Sequence, residues 1–195
     1  MDISNIIKNG GIVVMPTDTV YGIVCDATNE KAVDKVYQLK NRDYSKAMIV
    51  LVSGIDMLKR CVSSINDLEE EIINKYTPGP LTIIFNKSDF IPDIVTSGMD
   101  TVGIRIPNDK ELLELIDRVG NPVIASSANV SNNDTITSID LLEDSIKNNV
   151  DYIVDGGYIN RDASTIIKVD ENNIKILRDG KMSNIIKEDY KDFII

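Results

Sequence analysis

Short apolar, β-branched runs alternate with stretches of helical spacing along the chain, and this alternation most constrains the fold. Gly11 to Met15 is a continuous apolar run of strand length, closed by Pro16, which cannot extend a central ladder. Ala47 to Val52, Leu81 to Phe85, Val102 to Ile106 and Val123 to Ser126 repeat the pattern, and Tyr152 to Val154 is a shorter version ending at Asp155-Gly156-Gly157. Helical stripes lie between them. Asn29 stands as an N-cap before Ala32, Val33, Val36 and Leu39. Leu58 to Tyr76 carries Ile65, Leu68 and Ile72 on one face until Thr77-Pro78-Gly79-Pro80 stops it. Asn108 or Asp109 caps a helix striped by Leu112, Leu113, Leu115, Ile116 and Val119, and Gly120 suits its C′ position. Ser138 opens a helix carrying Leu141, Leu142 and Ile146, and Ser183 to Tyr190 forms the last. Ser164 to Val169 and Ile174 to Leu177 flank Asp170-Glu171-Asn172-Asn173, a hairpin signal. The alternation predicts an α/β fold, and the hairpin makes its sheet mixed.

No internal repeat and no Pro/Gly-rich linker interrupts the 195 residues, so one domain over 1–195 is expected, large enough to bury a core without staples. The net charge of −10 sets the average surface against nucleic acid and anionic membrane, although an average can hide a local basic cleft. The chain has no histidine, and its two cysteines, Cys25 and Cys61, are not at metal or redox spacing; they read as reduced, buried thiols, and no protein metal site is expected. Met1-Asp2-Ile3-Ser4 lacks a basic segment leading into an apolar one, and the longest apolar runs are strand-sized. The expected compartment is the cytoplasm, with no membrane contact.

With so few reactive side chains, the chemistry must rest on fixed cations and hydroxyls. Lys40-x-Arg42 shares a ligand only if the chain leaves the helix near Lys40, because residues two apart on a helix face different ways. Asn41, Asp43, Tyr44 and Ser45 are poor helix formers, so the exit is expected there. Arg42 then suits a phosphate with two nitrogens and Lys40 acts as a mobile point charge, with Lys46 as a third cation. Read alone, the same residues are first of all solvated cations at a helix end. Ser127-x-Asn129 follows a strand, where sheet proteins gather ligand groups, or is a turn with an Asx cap. Thr17 and Thr19 in Pro16-Thr-Asp-Thr-Val-Tyr-Gly22 offer hydroxyls, and Asp18 offers an acceptor for backbone donors. Arg105, inside an apolar strand word, either pairs with an internal carboxylate or awaits an anionic substrate. Ser164 opens a strand, and Arg178 closes the hairpin. Neither a Walker loop nor G-x-G-x-x-G occurs.

In order, the words PTDTVYG, KNR, PGPLT, VGIRIP, SSAN, DAST and LRDG resemble the YrdC-type family of L-threonylcarbamoyl-AMP synthases, in its short, single-domain form. The resemblance covers nearly the whole chain, from Gly10-Gly11 to Arg178-Asp179-Gly180. It implies a twisted open mixed sheet with flanking helices around a basic concave cleft. The implied reaction joins L-threonine, bicarbonate and ATP, with Mg²⁺ on the nucleotide, into threonylcarbamoyl-AMP and pyrophosphate. A tRNA threonylcarbamoyl transferase complex is the implied downstream partner, with direct tRNA contact at most weak. The implied catalytic set is Lys40, Arg42, Ser127 and Asn129. ATP contacts fall on these four and on Lys46, Thr135 and Arg178; threonine contacts fall on Thr19, Arg105, Ala125 and Ser164. The chain departs from the family pattern at Asp43, where many members have proline, at Leu51, where many have a histidine, and at Asn132, where glycine is usual. The alternative functions are a double-stranded RNA or tRNA-binding module of the same fold and a relative of the carbamoyl-transferring domain of hydrogenase maturation factors.

Overall fold

The computed structural model of the chain describes residues 2–171 and 173–195. The elements run α1 (Ile3–Lys8), β1 (Val13–Met15), β2 (Gly22–Asp26), α2 (Glu30–Leu39), β3 (Ile49–Leu51), α3 (Ile55–Cys61), α4 (Asp67–Tyr76), β4 (Leu81–Asn86), α5 (Asp93–Thr96), β5 (Thr101–Arg105), α6 (Lys110–Val119), β6 (Val123–Ser127), α7 (Asp144–Lys147), β7 (Tyr152–Ile153), β8 (Thr165–Asp170), β9 (Asn173–Arg178) and α8 (Ser183–Asp189). Among the described residues the strands form one open mixed sheet in the order β7-β1-β2-β6-β3-β5-β4-β8-β9. Its β1–β7, β3–β5 and β4–β8 pairs are parallel and the others antiparallel. The expected mixed α/β architecture with flanking helices is the observed one.

Local chemistry accounts for where the elements begin and end. The Asn29 side chain accepts from the Ala32 N–H at 3.2 Å to start α2, and Asp109 does the same for Leu112 at 3.1 Å to start α6. Gly120, at φ +79°, ends α6. The single helix expected from Leu58 to Tyr76 is instead two. The break is set by Asn66, whose side chain accepts from the Glu69 N–H at 2.9 Å while Glu69 accepts from the Asn66 N–H at 2.8 Å. This capping box starts a new helix and leaves Ile65 outside it. The helix expected from Ser138 is also broken, into a 3-10 turn at Ile139–Leu141 and α7. Strand β2 was not anticipated, because Ile23-Val24-Cys25 is short and follows a polar break, yet every residue of it is buried between β1 and β6. The β8–β9 hairpin is as expected, although Asn172 of its turn lies outside the described residues.

Register decides what the sheet presents. Residues two apart on a strand share a face. Pairing of Val50 with Ile124, Ile49 with Gly103, Ile84 with Gly103, Thr82 with Ile166, and Ile166 with Arg178 carries one face across six strands. That face holds Ala125 and Ser127 of β6, Ile49 of β3, Arg105 of β5, Thr82 of β4, Ile166 of β8 and Arg178 of β9. The opposite face and the flanking helices enclose the apolar core, including Ile23, Val50, Ile104, Ile124 and Ile167. Cys25 and Cys61 are both free and buried in it, and burial pushes the Cys61 thiol up to about 12. Among the described residues no helix is long and apolar enough to cross a membrane.

Candidate active site

A cleft of about 330 Å³ opens on this shared face. Of the residues singled out from sequence, Thr19, Arg42, Arg105, Ala125, Ser127, Thr135, Ser164 and Arg178 line it. They come from distant parts of the chain: the loop after β1, the exit of α2, the ends of β5, β6 and β9, and the entry of β8. Lys40 and Asn129 do not line the cleft but lie directly behind it. The exposed Lys46 side chain is not part of its wall; Lys46 contributes a backbone carbonyl that accepts from Arg42 Nε at 3.0 Å and from the Tyr37 hydroxyl at 3.0 Å.

Lys40 occupies a different position from the one expected. Helix α2 does end at Leu39, and Asn41 takes a left-handed conformation at φ +46°. That conformation interrupts the alternation of an extended segment, so Lys40 and Arg42 do not point together into the solvent. Lys40 is 1% exposed. Its ammonium donates to the Ser127 carbonyl, to the Asn129 carbonyl at 2.6 Å and to Asn129 Oδ1 at 3.3 Å, which uses all three of its hydrogens. Its own carbonyl accepts from the Ser131 N–H at 2.8 Å. A mobile point charge is therefore excluded in this structure: Lys40 is a fixed post that holds the Ser127–Ser131 turn at both ends. Burial, then repulsion from Arg42, brings its pKa down to about 8, with Glu143 acting in the opposite direction.

The turn it holds is internally bonded. Ser127 Oγ donates to Asn129 Oδ1, and Asn129 Nδ2 donates to the Asn133 carbonyl at 2.6 Å. Asn132 sits at φ +73°, a conformation that glycine adopts freely and asparagine tolerates better than most residues, so this departure from the family pattern preserves the backbone path. Asp43 is also benign: its exposed carboxylate accepts from the Ser45 N–H at 2.8 Å. Leu51 is fully buried in β3, an apolar group where many members carry an imidazole.

Three of the cleft arginines are anchored. Arg42 donates through Nε to the Lys46 carbonyl and through Nη2 to the Ala47 carbonyl at 2.7 Å. Arg178 donates through Nε and Nη2 to the Ser164 carbonyl at 3.0 and 2.8 Å, and through Nη2 to Ser164 Oγ at 2.9 Å, tying the two residues together. Ser164 Oγ also shares a hydrogen bond with Thr82 Oγ1 at 2.9 Å. Gly180 permits this closure, because a Cβ there would stand 2.6 Å from the Ala163 carbonyl and the Thr165 nitrogen. Arg105 takes the first of the two courses left open by its sequence context, pairing with an internal carboxylate. Its Nη1 pairs with Asp18 Oδ1 at 2.7 Å, and its Nε is buried with no hydrogen-bond partner among the described residues. Burial lowers the pKa of all three arginines.

Arg161 also lines the cleft and was not singled out from sequence. It is exposed and donates through Nη1 to the Asp18 carbonyl at 3.3 Å. It lies in an irregular segment with no local pattern, and only its position just before Ser164 hinted at it. The cleft is thus walled by hydroxyls and guanidiniums, with apolar floor from Ile49, Ala125 and Ile166. Such a set binds anions and orients them; it contains no imidazole or thiol to act as a nucleophile.

Comparison with known proteins identifies the family and the fold. The family model described as Sua5_yciO_yrdC, telomere recombination, matches residues 5–180. A Methanocaldococcus jannaschii protein provisionally named threonylcarbamoyl-AMP synthase is 41% identical over 175 residues, covering 89% of this chain and 82% of that protein. The threonylcarbamoyl-AMP synthase of Pyrococcus abyssi is 32% identical over 175 residues, and this chain spans 52% of its length. The crystal structure of P. abyssi Sua5 complexed with L-threonine superposes with a TM-score of 0.88 at 31% identity, covering 94% of this chain and 55% of that one. The chain belongs to the Sua5/YciO/YrdC family.

Proposed function

We propose that this chain is a threonylcarbamoyl-AMP synthase, a nucleotidyltransferase that joins L-threonine, bicarbonate and ATP and releases pyrophosphate. The observation that carries the reading is the convergence of Thr19, Arg42, Arg105, Ser127, Thr135, Ser164 and Arg178 on one cleft. Arg105 takes the threonine carboxylate. Its Nε and Nη2 form one edge of the guanidinium and match the two oxygens of a carboxylate. Ser164, Thr19 and the backbone at Ala125 complete the amino-acid site. Arg42, Arg178 and Thr135 face the nucleotide, with Ser127 and Asn129 shaping the turn beside it and Lys40 fixing that turn.

The threonine amine attacks bicarbonate, and loss of water leaves a carbamate on the nitrogen. A carbamate oxygen then attacks the α-phosphorus as the bond to pyrophosphate breaks. The protein supplies position and positive charge and forms no covalent bond of its own. Magnesium enters as part of the substrate, its ligands being phosphate oxygens and water, since guanidiniums and hydroxyls rather than carboxylates face the cleft. The product is a mixed anhydride for a downstream tRNA-modifying transferase in the cytoplasm.

The test is pyrophosphate release with ATP, bicarbonate and single amino acids. Release that depends on threonine supports the reading. Equal turnover with and without threonine would remove it.

A further inference from the structure

We infer that Asp18 is a positioning residue for the amino-acid site: it fixes which edge of Arg105 is presented to the substrate. The inference rests on the proposed role of Arg105 as the carboxylate ligand. Asp18 and Arg105 form a buried pair, with side chains 4% and 6% exposed. Both hydrogens of Arg105 Nη1 are committed, to Asp18 Oδ1 at 2.7 Å and to Thr19 Oγ1 at 3.2 Å. The other edge is left without protein acceptors among the described residues, and its Nε is buried there unpaired.

A purely structural ion pair would be expected to satisfy the whole guanidinium, because a buried unpaired donor costs about 1–3 kcal/mol. Here that cost is accepted at Arg105, a residue that lines the cleft. Asp18 is itself held rigidly. Its second oxygen accepts from the Asn108 N–H at 3.1 Å, which ties it to the entry of α6, and its carbonyl accepts from Arg161. Thr17 Oγ1 accepts from the Thr19 and Val20 N–H groups at 3.2 and 3.3 Å, closing the turn that carries Asp18. Besides Asp18, the charged group acting on Arg105 is Arg178, a cation that opposes its charge; the Asp18 carboxylate offsets that repulsion and keeps the fork in place.

The experiment compares binding of L-threonine and of threoninol, which lacks the carboxylate, by calorimetry on wild type, Asp18→Asn and Asp18→Ser. Wild type should favour threonine strongly. In the variants that preference should shrink about 10- to 100-fold, the range expected when a ligand group is displaced by an ångström or less. ATP affinity should stay within about twofold, since Asp18 touches no residue assigned to the nucleotide. A wild type that does not distinguish the two ligands would remove the Arg105 assignment itself. Variants that keep the wild-type preference, or that both fail to fold, would overturn the positioning role alone and leave Asp18 as a structural partner.

Discussion

Replacing Lys40 by methionine separates its two possible contributions, to stability and to the site. The substitution removes three hydrogen bonds. The Ser127 carbonyl keeps a donor in the Asn129 N–H at 2.9 Å, and Asn129 Oδ1 keeps Ser127 Oγ. Only the Asn129 carbonyl is left without a partner among the described residues, at a cost of about 1–3 kcal/mol. Against this, removing a buried ammonium recovers a desolvation penalty of similar or greater size. The two nearly cancel, so stability should change by no more than about 2 kcal/mol, or roughly 4–8 °C in Tm for a chain of this size. The effect on turnover should be far larger. The Ser127–Ser131 turn loses the post behind it, and a displacement of about 1 Å costs on the order of 100-fold in rate. Pyrophosphate release and thermal melting on the same preparation test both halves. Adding Ser127→Ala to Lys40→Met should cause little further loss, because both changes disable the same turn. Turnover within about threefold of wild type, or fully additive losses in the double variant, would refute the account.

The pH dependence of Lys40 gives opposite signs for stability and binding. Its folded pKa of about 8 lies below the ordinary 10.5, so between these values the unfolded chain holds the proton that the folded one has released, and the stability contributed by this group rises with pH across that window. ATP affinity should fall as pH passes about 8, since a neutral amine has two hydrogens for three acceptors; titration calorimetry from pH 7 to 9.5 checks this. Arg178→Ala should raise KM for threonine as well as for ATP, because Arg178 also holds Ser164; a change confined to ATP would uncouple them. Asn66→Ala should lower stability by about 1 kcal/mol through loss of the capping box, with kinetic constants unchanged, as read by denaturant melts.

Much of the fold was legible because its signals are local. Asn29, Asp109 and Gly120 mark helix ends by side-chain and backbone chemistry that needs no tertiary context, and β1, β3, β4, β5 and β6 follow from continuous apolar runs. The errors also have local causes. Asn66-x-x-Glu69 is a readable capping box, but the apolar spacing from Leu58 to Ile72 runs through it and suggests one helix. Strand β2 stays hidden because Gly22 and the threonines before it signal a turn, and only pairing on both sides shows that the residues after it are buried. The sheet order has no local signature at all. It is the order that gathers Arg105, Ala125, Ile166 and Arg178 onto one face from four separate words.

Eight of the residues singled out from sequence converge on the cleft, but how they divide the labour was not legible. Lys40-x-Arg42 was expected to act as a pair facing one ligand, on the ground that the chain becomes extended past the helix. The helix does end there, but Asn41 enters the left-handed region, and that one backbone rotation sends the two cations to different jobs. Arg42 stays in the cleft wall, anchored by two carbonyls, while Lys40 turns inward and spends its whole hydrogen-bonding capacity on the turn that carries Ser127 and Asn129. The same logic separates Asp18 from Arg105. In each case a group at the cleft wall, the turn carrying Ser127 in one and Arg105 in the other, is held by a buried charged side chain behind it. A site without a nucleophile depends on such backing, because position and fixed positive charge are what it has to offer. Variants that preserve every cleft-lining side chain but remove the support behind it should therefore lose nearly as much turnover as variants of the lining residues themselves.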